Sequence, residues 1–217
     1  MARGDNLGEQ VYTSLKRKIM NNELLPNTYL DEVRICAELG VSRTPVREAL
    51  VRLEGEGMVV SLPKRGMIVS DLSMGAILEL LHIRKVMEPE LIRPYMKNYS
   101  RETLESFRKR FRETLKKPNA DAANQLDYEF HTYLYEGCGK PHVTRLLAYV
   151  CDQCQRIRTK NRVDTARLKE GIEEHLEMIR ALQEERYDDM TELLRAHIAS
   201  VEDFYHKIFM DDISSYR

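Results

Sequence analysis

No stretch of this 217-residue chain is apolar for the roughly 20 residues that a membrane-crossing helix needs, so an integral helical membrane protein is excluded. A secretory signal is missing as well, because Met1-Ala2-Arg3-Gly4-Asp5 is polar. The expectation is a soluble, cytoplasmic protein with no membrane partner. Net charge is scarce: 34 Lys and Arg against 35 Asp and Glu leave −1. Bulk charge therefore announces no nucleic-acid binder, and any such activity has to rest on a local patch. Cysteine is scarce too. Cys36, Cys138, Cys151 and Cys154 are too few and too scattered for a disulfide scaffold. Cys151-x-x-Cys154 has no second CxxC to complete a four-thiolate zinc site. It lies among Leu146, Leu147, Val150 and Ile157 at helical spacing, so the pair reads as half-buried packing residues. Internal repeats and low-complexity segments are absent.

What is present is concentrated in Gly40-Val41-Ser42-Arg43-Thr44-Pro45-Val46-Arg47-Glu48-Ala49-Leu50. A helix from Asp31 to Leu39, apolar at Ile35 and Leu39, stops at Gly40, the residue suited to a tight turn. The next helix has Ser42 or Thr44 as its cap and Pro45 in its first turn, where a missing N–H costs nothing. Val46, Ala49, Leu50 and Leu53 share one apolar face, while Arg43 and Arg47 sit one turn apart on a neighbouring outward face. Two helices joined by a glycine turn, the second led by arginines, fit a helix-turn-helix whose recognition helix enters the major groove. Arginine suits that task because its planar fork pairs with guanine edges or phosphate oxygens.

Met58-Val59-Val60 and Met67-Ile68-Val69 are β-prone runs joined by Ser61-Leu62-Pro63-Lys64-Arg65-Gly66, a hairpin with a basic tip. A hairpin directly after a recognition helix is a wing. Lys64 and Arg65 are placed to reach phosphates, and Gly66 lets the backbone approach a duplex. Residues 1–70 hold ten Lys and Arg against nine Asp and Glu, a balance of only +1. Affinity for DNA must then come from the helix start and wing, doubled by dimerisation, and must depend on salt.

Ser42 to Leu50, the Leu-Glu-x-x-Gly stretch after it and Pro63-Lys64-Arg65-Gly66 together resemble the DNA-binding domain of the GntR family of bacterial transcriptional regulators. By that resemblance Arg43, Thr44, Arg47, Arg65 and Gly66 are the DNA contacts. One departure is Val33, at a position where family members commonly carry arginine, with Arg34 as its neighbour.

Before this motif, Val11, Tyr12, Leu15 and Ile19 mark a first helix, followed by a turn at Leu24-Leu25-Pro26-Asn27. After Ser70-Asp71-Leu72-Ser73, a polar link with Ser73 as cap, helical periodicity runs to about residue 209 with no persuasive strand. Ile77, Leu80, Leu81, Arg84, Leu91, Ile92 and Tyr95 form a stripe that Pro89 and Pro94 bend or split. Leu104, Phe107, Phe111 and Leu115 mark the next helix, then Leu126, Phe130 and Leu134, then residues 141–160, Thr165 to Glu185, and Asp188 to about Ile208. The expected fold is mainly α: an N-terminal winged helix-turn-helix (1–70), a linker (71–73) and a C-terminal all-α antiparallel bundle of about six helices (74–217). The resemblance to those regulators implies that the last serves effector binding and dimerisation.

Three of the six histidines fall on inward stripes of that bundle. Asp127 and His131 are four apart and share one helix face. His175 lies beside the stripe Ile172, Leu176, Ile179, Leu182. His197 sits between Leu194 and Ile198 on the last helix. Three helices thus each aim a nitrogen or oxygen donor at the interior, where facing helices can converge on one ion. His82, His142 and His206 have no comparable partners. Asp127-Tyr128-Glu129-Phe130-His131, Glu174-His175 and Leu194-Arg195-Ala196-His197 resemble the FCD domain of the FadR branch of the same family. That resemblance makes Asp127, His131, His175 and His197 metal ligands. It also matches Arg84 and Glu88 to a family pattern, and Lys140 departs from the asparagine of many relatives.

Three imidazoles and one carboxylate suit Zn²⁺, Ni²⁺, Mn²⁺ or Fe²⁺. The expected protein is a homodimeric repressor bound to double-stranded operator DNA. A small organic acid, bound near the metal with Arg84 as counter-charge, releases it. A metal sensor is the alternative. A metalloenzyme is disfavoured because Glu129 and Glu174, adjacent to ligands in sequence, are expected to point elsewhere and no nucleophile–base pair accompanies them.

Overall fold

The computed structural model describes residues 4–160 and 165–215; of the polar N-terminal stretch, Met1-Ala2-Arg3 lies outside the described residues. The chain divides into two compact units, Met1–Leu72 and Ser73–Arg217.

In the first unit, α1 (Gly4–Met20) turns Val11, Leu15 and Ile19 inward at four-residue intervals and packs on α3 (Arg43–Gly55). Between them, α2 (Glu32–Leu39) starts where the Asp31 carboxylate accepts the N–H groups of Val33 at 2.8 Å and Arg34 at 3.4 Å. It stops at Gly40, which takes a left-handed φ of 66° that a Cβ would penalise. Ser42 holds the cap position of α3 in extended conformation but makes no side-chain cap bond, and Thr44 lies inside the helix. Val46, Ala49, Leu50 and Leu53 are all buried, each large one worth about 1.5–3 kcal/mol of apolar burial.

The wing consists of β2 (Val59–Leu62) and β3 (Gly66–Val69), antiparallel, with Val59 opposite Val69 and Leu62 opposite Gly66. A further strand, β1 (Tyr29–Leu30), pairs with the other edge of β3, giving the order β1-β3-β2. Sequence periodicity does not reveal β1. It is two residues long, too short to alternate, and exists because Asn27 N–H donates to the Val69 carbonyl and Val69 N–H to that of Thr28, both at 2.9 Å.

The second unit is an all-α antiparallel bundle: α4 (Met74–Ile92), α5 (Arg101–Lys116), α6 (Ala120–Gly137), α7 (Pro141–Lys160), α8 (Thr165–Gln183) and α9 (Tyr187–Ser215). Side-chain caps start three of them: Ser73 accepts from Ala76 N–H, Ser100 from Thr103 N–H and Asn119 from Ala122 N–H. Pro89 lies near the end of α4, which gives way to a 3₁₀ turn, Arg93–Asn98, with Pro94 in its first turn. α4 packs on α7 and α9, α5 on α6 and α8, and α8 also on α6 and α9. α6, α8 and α9 thereby meet around one interior, walled by Phe111, Phe130, Ile172 and Leu194. Glycine closes the end of α6 because a Cβ at Gly137 would stand 2.1 Å from the Tyr99 ring, whose hydroxyl donates to the Leu134 carbonyl at 2.6 Å.

Candidate functional site

On the first unit, Arg43, Thr44 and Arg47 are all exposed at the start of α3. Arg47 is steadied by Glu32 of α2, its Nε donating to the carboxylate at 2.9 Å. An exposed pair of this kind is worth at most about 1 kcal/mol, so a phosphate or guanine edge can replace it. Arg65 and Gly66 are exposed at the wing tip, where Lys64 has a φ of 62°. Gly66 has a φ of 83°, which favours glycine, and a Cβ there would crowd the Tyr29 ring at 3.0 Å. Val33 is 59% exposed on α2. Arg34 beside it is exposed, its Nε paired with Glu38 of its own helix at 2.8 Å.

On the second unit, Asp127 and His131 of α6, His175 of α8 and His197 of α9 meet. One donor atom from each lies within 4.8 Å of all the others. His175 Nε2 is 3.3 Å from His131 Nε2 and 3.3 Å from Asp127 Oδ1, while His131 Nε2 is 4.0 Å from Asp127 Oδ1. Neighbouring donors on a small divalent ion with bonds of about 2.0–2.1 Å stand roughly 3 Å apart, so the two 3.3 Å separations and the chemistry of the four donors suit such a cation. The histidines are buried, and Phe111 fixes the His175 ring by stacking at 4.9 Å and 11°. Burial, helped by Arg84, lowers the pKa of His131, which keeps that imidazole neutral and its lone pair available to a metal. A cavity of about 60 Å³ opens beside the donors, lined by Asp127, His175 and His197 together with Asn124, Arg167 and Phe111. At roughly 10–15 Å³ for each water-sized group, it has room for a ligand of only a few heavy atoms.

Two residues behave differently from the sequence expectation. Arg84 is 1% exposed, its Nε donates to Glu88 at 2.7 Å, and it stands outside the lining of the cavity. Burial would push the Glu88 carboxyl up, but the Arg84 guanidinium and the His131 ring outweigh it and hold it well below the usual carboxylate range. The guanidinium at the cavity belongs to Arg167 instead. Glu174 does not point away from the site either. Its Oε2 lies 2.6 Å from His197 Nδ1, and it is itself held by Arg167 at 3.1 and 3.2 Å and by the Ser200 hydroxyl at 3.1 Å. Successive helix residues differ by about 100° in direction, so His175 and Glu174 flank one interhelical groove from two sides. The signal in the sequence was Arg167 and Glu174 two turns apart, opposite His197 and Ser200 one turn apart. Glu129, in contrast, does turn outward, to Arg110 at 2.5 Å. Cys151 and Cys154 are buried, and burial raises both thiols, so they pack as small apolar groups. His82, His142 and His206 are exposed, as is Lys140.

Comparison with known proteins accounts for both units. Residues 7–69 match the bacterial regulatory proteins of the gntR family, and residues 79–200 match the FCD domain. The chain is 24% identical over 192 residues to the HTH-type transcriptional regulator YdhC of Bacillus subtilis, covering 87% of this chain and 86% of that protein. It is 28% identical over 175 residues to the nta operon transcriptional regulator of Aminobacter aminovorans, covering 80% and 82%. Among solved structures, E. coli McbR/YncC shares the fold with a TM-score of 0.81 at 19% identity, covering 94% of this chain and 98% of that one.

Proposed function

This chain belongs to the GntR family of bacterial DNA-binding transcriptional regulators, in the branch with an FCD domain, and from that membership we propose that it is a metal-dependent repressor released by a small carboxylate. The observation that carries the reading is the convergence of Asp127, His131, His175 and His197 on a cavity of about 60 Å³. These four residues would hold Zn²⁺, Ni²⁺, Mn²⁺ or Fe²⁺, and a five- or six-coordinate ion there would supply a Lewis-acidic centre with one or two positions left for an incoming carboxylate. Arg167, which lines the cavity, takes over from Arg84 the role of counter-charge to that anion. The cavity size favours an acid of two to four carbons.

Arg43, Thr44 and Arg47 would read the major groove, with Arg65 and Gly66 on the backbone. Two copies would engage the two halves of an inverted repeat. Exposed apolar side chains support self-association through the bundle: Ile83, Val86 and Met87 on α4, and Leu146 and Tyr149 on the adjoining α7. The effector acts only through its different affinity for the DNA-competent and DNA-incompetent arrangements of the dimer. Such coupling is typically about 1–3 kcal/mol, a 5- to 150-fold change in affinity.

The test is an anisotropy titration of a labelled fragment from upstream of its own gene, with zinc-loaded and metal-stripped protein and a panel of small organic acids. The expected result is tight binding that one acid weakens 5- to 150-fold in the loaded protein. A cavity beside the ion favours this over the metal-sensor alternative. Affinity set by metal alone, with no response to any acid, would decide for the sensor.

A further inference from the structure

Two of the three histidines carry a carboxylate on Nδ1. His131 Nδ1 lies 3.0 Å from Glu88 Oε1, and His197 Nδ1 lies 2.6 Å from Glu174 Oε2. Both carboxylates are independently anchored: Glu88 by Arg84, Glu174 by Arg167 and Ser200. On the metal reading above, we propose that Glu88 and Glu174 are positioning residues that lock His131 and His197 in the Nδ1–H tautomer, so that each offers Nε2 to the ion.

The chemistry selects this tautomer. An ionised carboxylate only accepts, so a carboxylate oxygen at 2.6–3.0 Å demands a proton on the facing ring nitrogen. At His131 a second neighbour competes, because Arg84 Nη2 stands 3.2 Å from the same Nδ1 and would prefer a lone pair there. The same Nη2 has the Glu88 carboxylate as an alternative acceptor, Oε1 at 3.4 Å. An unprotonated Nδ1 would instead set a lone pair against the buried Glu88 anion, which is the worse arrangement. With the proton on Nδ1, the Nε2 lone pair of His131 faces the Nε2 of His175 at 3.3 Å. The partners come from different helices: Glu88 reaches from α4 to α6, and Glu174 from α8 to α9. Each pair therefore also sets the ring orientation of one ligand against a neighbouring helix.

The experiment titrates Zn²⁺ against a chromophoric chelator in the full-length protein, comparing parent, Glu174→Gln, Glu174→Leu, Glu88→Gln and the double variant Arg84→Met/Glu88→Gln. In parallel, long-range ¹H–¹⁵N spectra of ¹⁵N-histidine protein report each ring's tautomer directly. The double variant keeps the buried pair neutral should Glu88→Gln alone unfold. The expected result is Nδ1–H for both rings in the parent, and zinc affinity 10- to 100-fold weaker in the Gln variants, weaker still with Leu, at unchanged helicity. Affinities equal to the parent, or Nε2–H tautomers in the metal-free parent, would overturn the positioning role while leaving the metal site standing. A parent that fails to bind zinc would instead remove the metal reading and this inference together.

Discussion

The two units hold their candidate site residues in opposite ways. On the winged unit, Arg43, Arg47 and Arg65 stand in water on a small frame, and their positions follow from where α3 and the hairpin start. In the bundle, three imidazoles are at most 2% exposed and come from three helices, so their positions depend on packing across the whole interior. An exposed site is therefore altered by changing charge and a buried one by changing shape. The sharpest test of that contrast is Phe111→Ala. Phe111 is fully buried, stacks on His175 and packs edge-on to Phe130 at 5.8 Å. Its removal is expected to lower the stability of the bundle by about 3–5 kcal/mol in urea denaturation and to weaken zinc retention with it. Intact zinc affinity in the folded variant would mean that packing does not set the ligands.

Metal itself should separate the units next. Binding to the native state alone stabilises by RT ln(1 + [L]/Kd), about 2.7 kcal/mol at a hundredfold excess of zinc over Kd. The thermal transition of the bundle should rise with zinc and fall back with a chelator. His175→Ala should abolish the shift, while Arg47→Ala should leave it intact. A zinc-induced rise that survives in His175→Ala would place the binding elsewhere.

At the exposed site the expected effect is smaller and of another kind. Arg47→Ala should cost about 1–3 kcal/mol of specific operator affinity without moving either thermal transition. Its polar partner among the described residues is Glu32, and losing an exposed pair costs little stability. Equal losses on specific and random duplexes would make Arg47 a phosphate contact rather than a base reader.

The same contrast explains what could be read from the chain. Asp31, Gly40 and Pro45 punctuate the helix-turn-helix locally, each by its own backbone chemistry, so its outline follows from sequence alone. Helical spacing likewise marks Asp127 with His131, and the inward stripes of α8 and α9. What stayed hidden depends on partners distant in sequence. β1 exists through its pairing with β3. Arg84 turns inward because Glu88 is one turn away in a dry interior, where an unpaired charge is prohibitive. Glu174 looks displaced by one position from His175, and only the packing of α8 on α9 shows that it reaches His197.

Val33 offers the finest adjustment of the comparison. It is a valine, 59% exposed in the first turn of α2, and Arg34 beside it is tied to Glu38. If the start of α2 faces the duplex backbone, Val33→Arg adds one phosphate contact per chain. Each such contact steepens the dependence of log K on log salt by about 0.9. A dimer gains two, so the slope between about 50 and 200 mM salt should steepen by nearly two, with the largest gain in affinity at the low end. The cation sits at a helix N-terminus, which costs a few tenths of a kcal/mol in the free protein, well below what the change in slope reports. An unchanged slope would show that this end of α2 stands clear of DNA and that the arginines of α3 and the wing carry the duplex unaided. That outcome would also bring the modest charge of residues 1–70 into line with a regulator whose grip on non-specific DNA is weak.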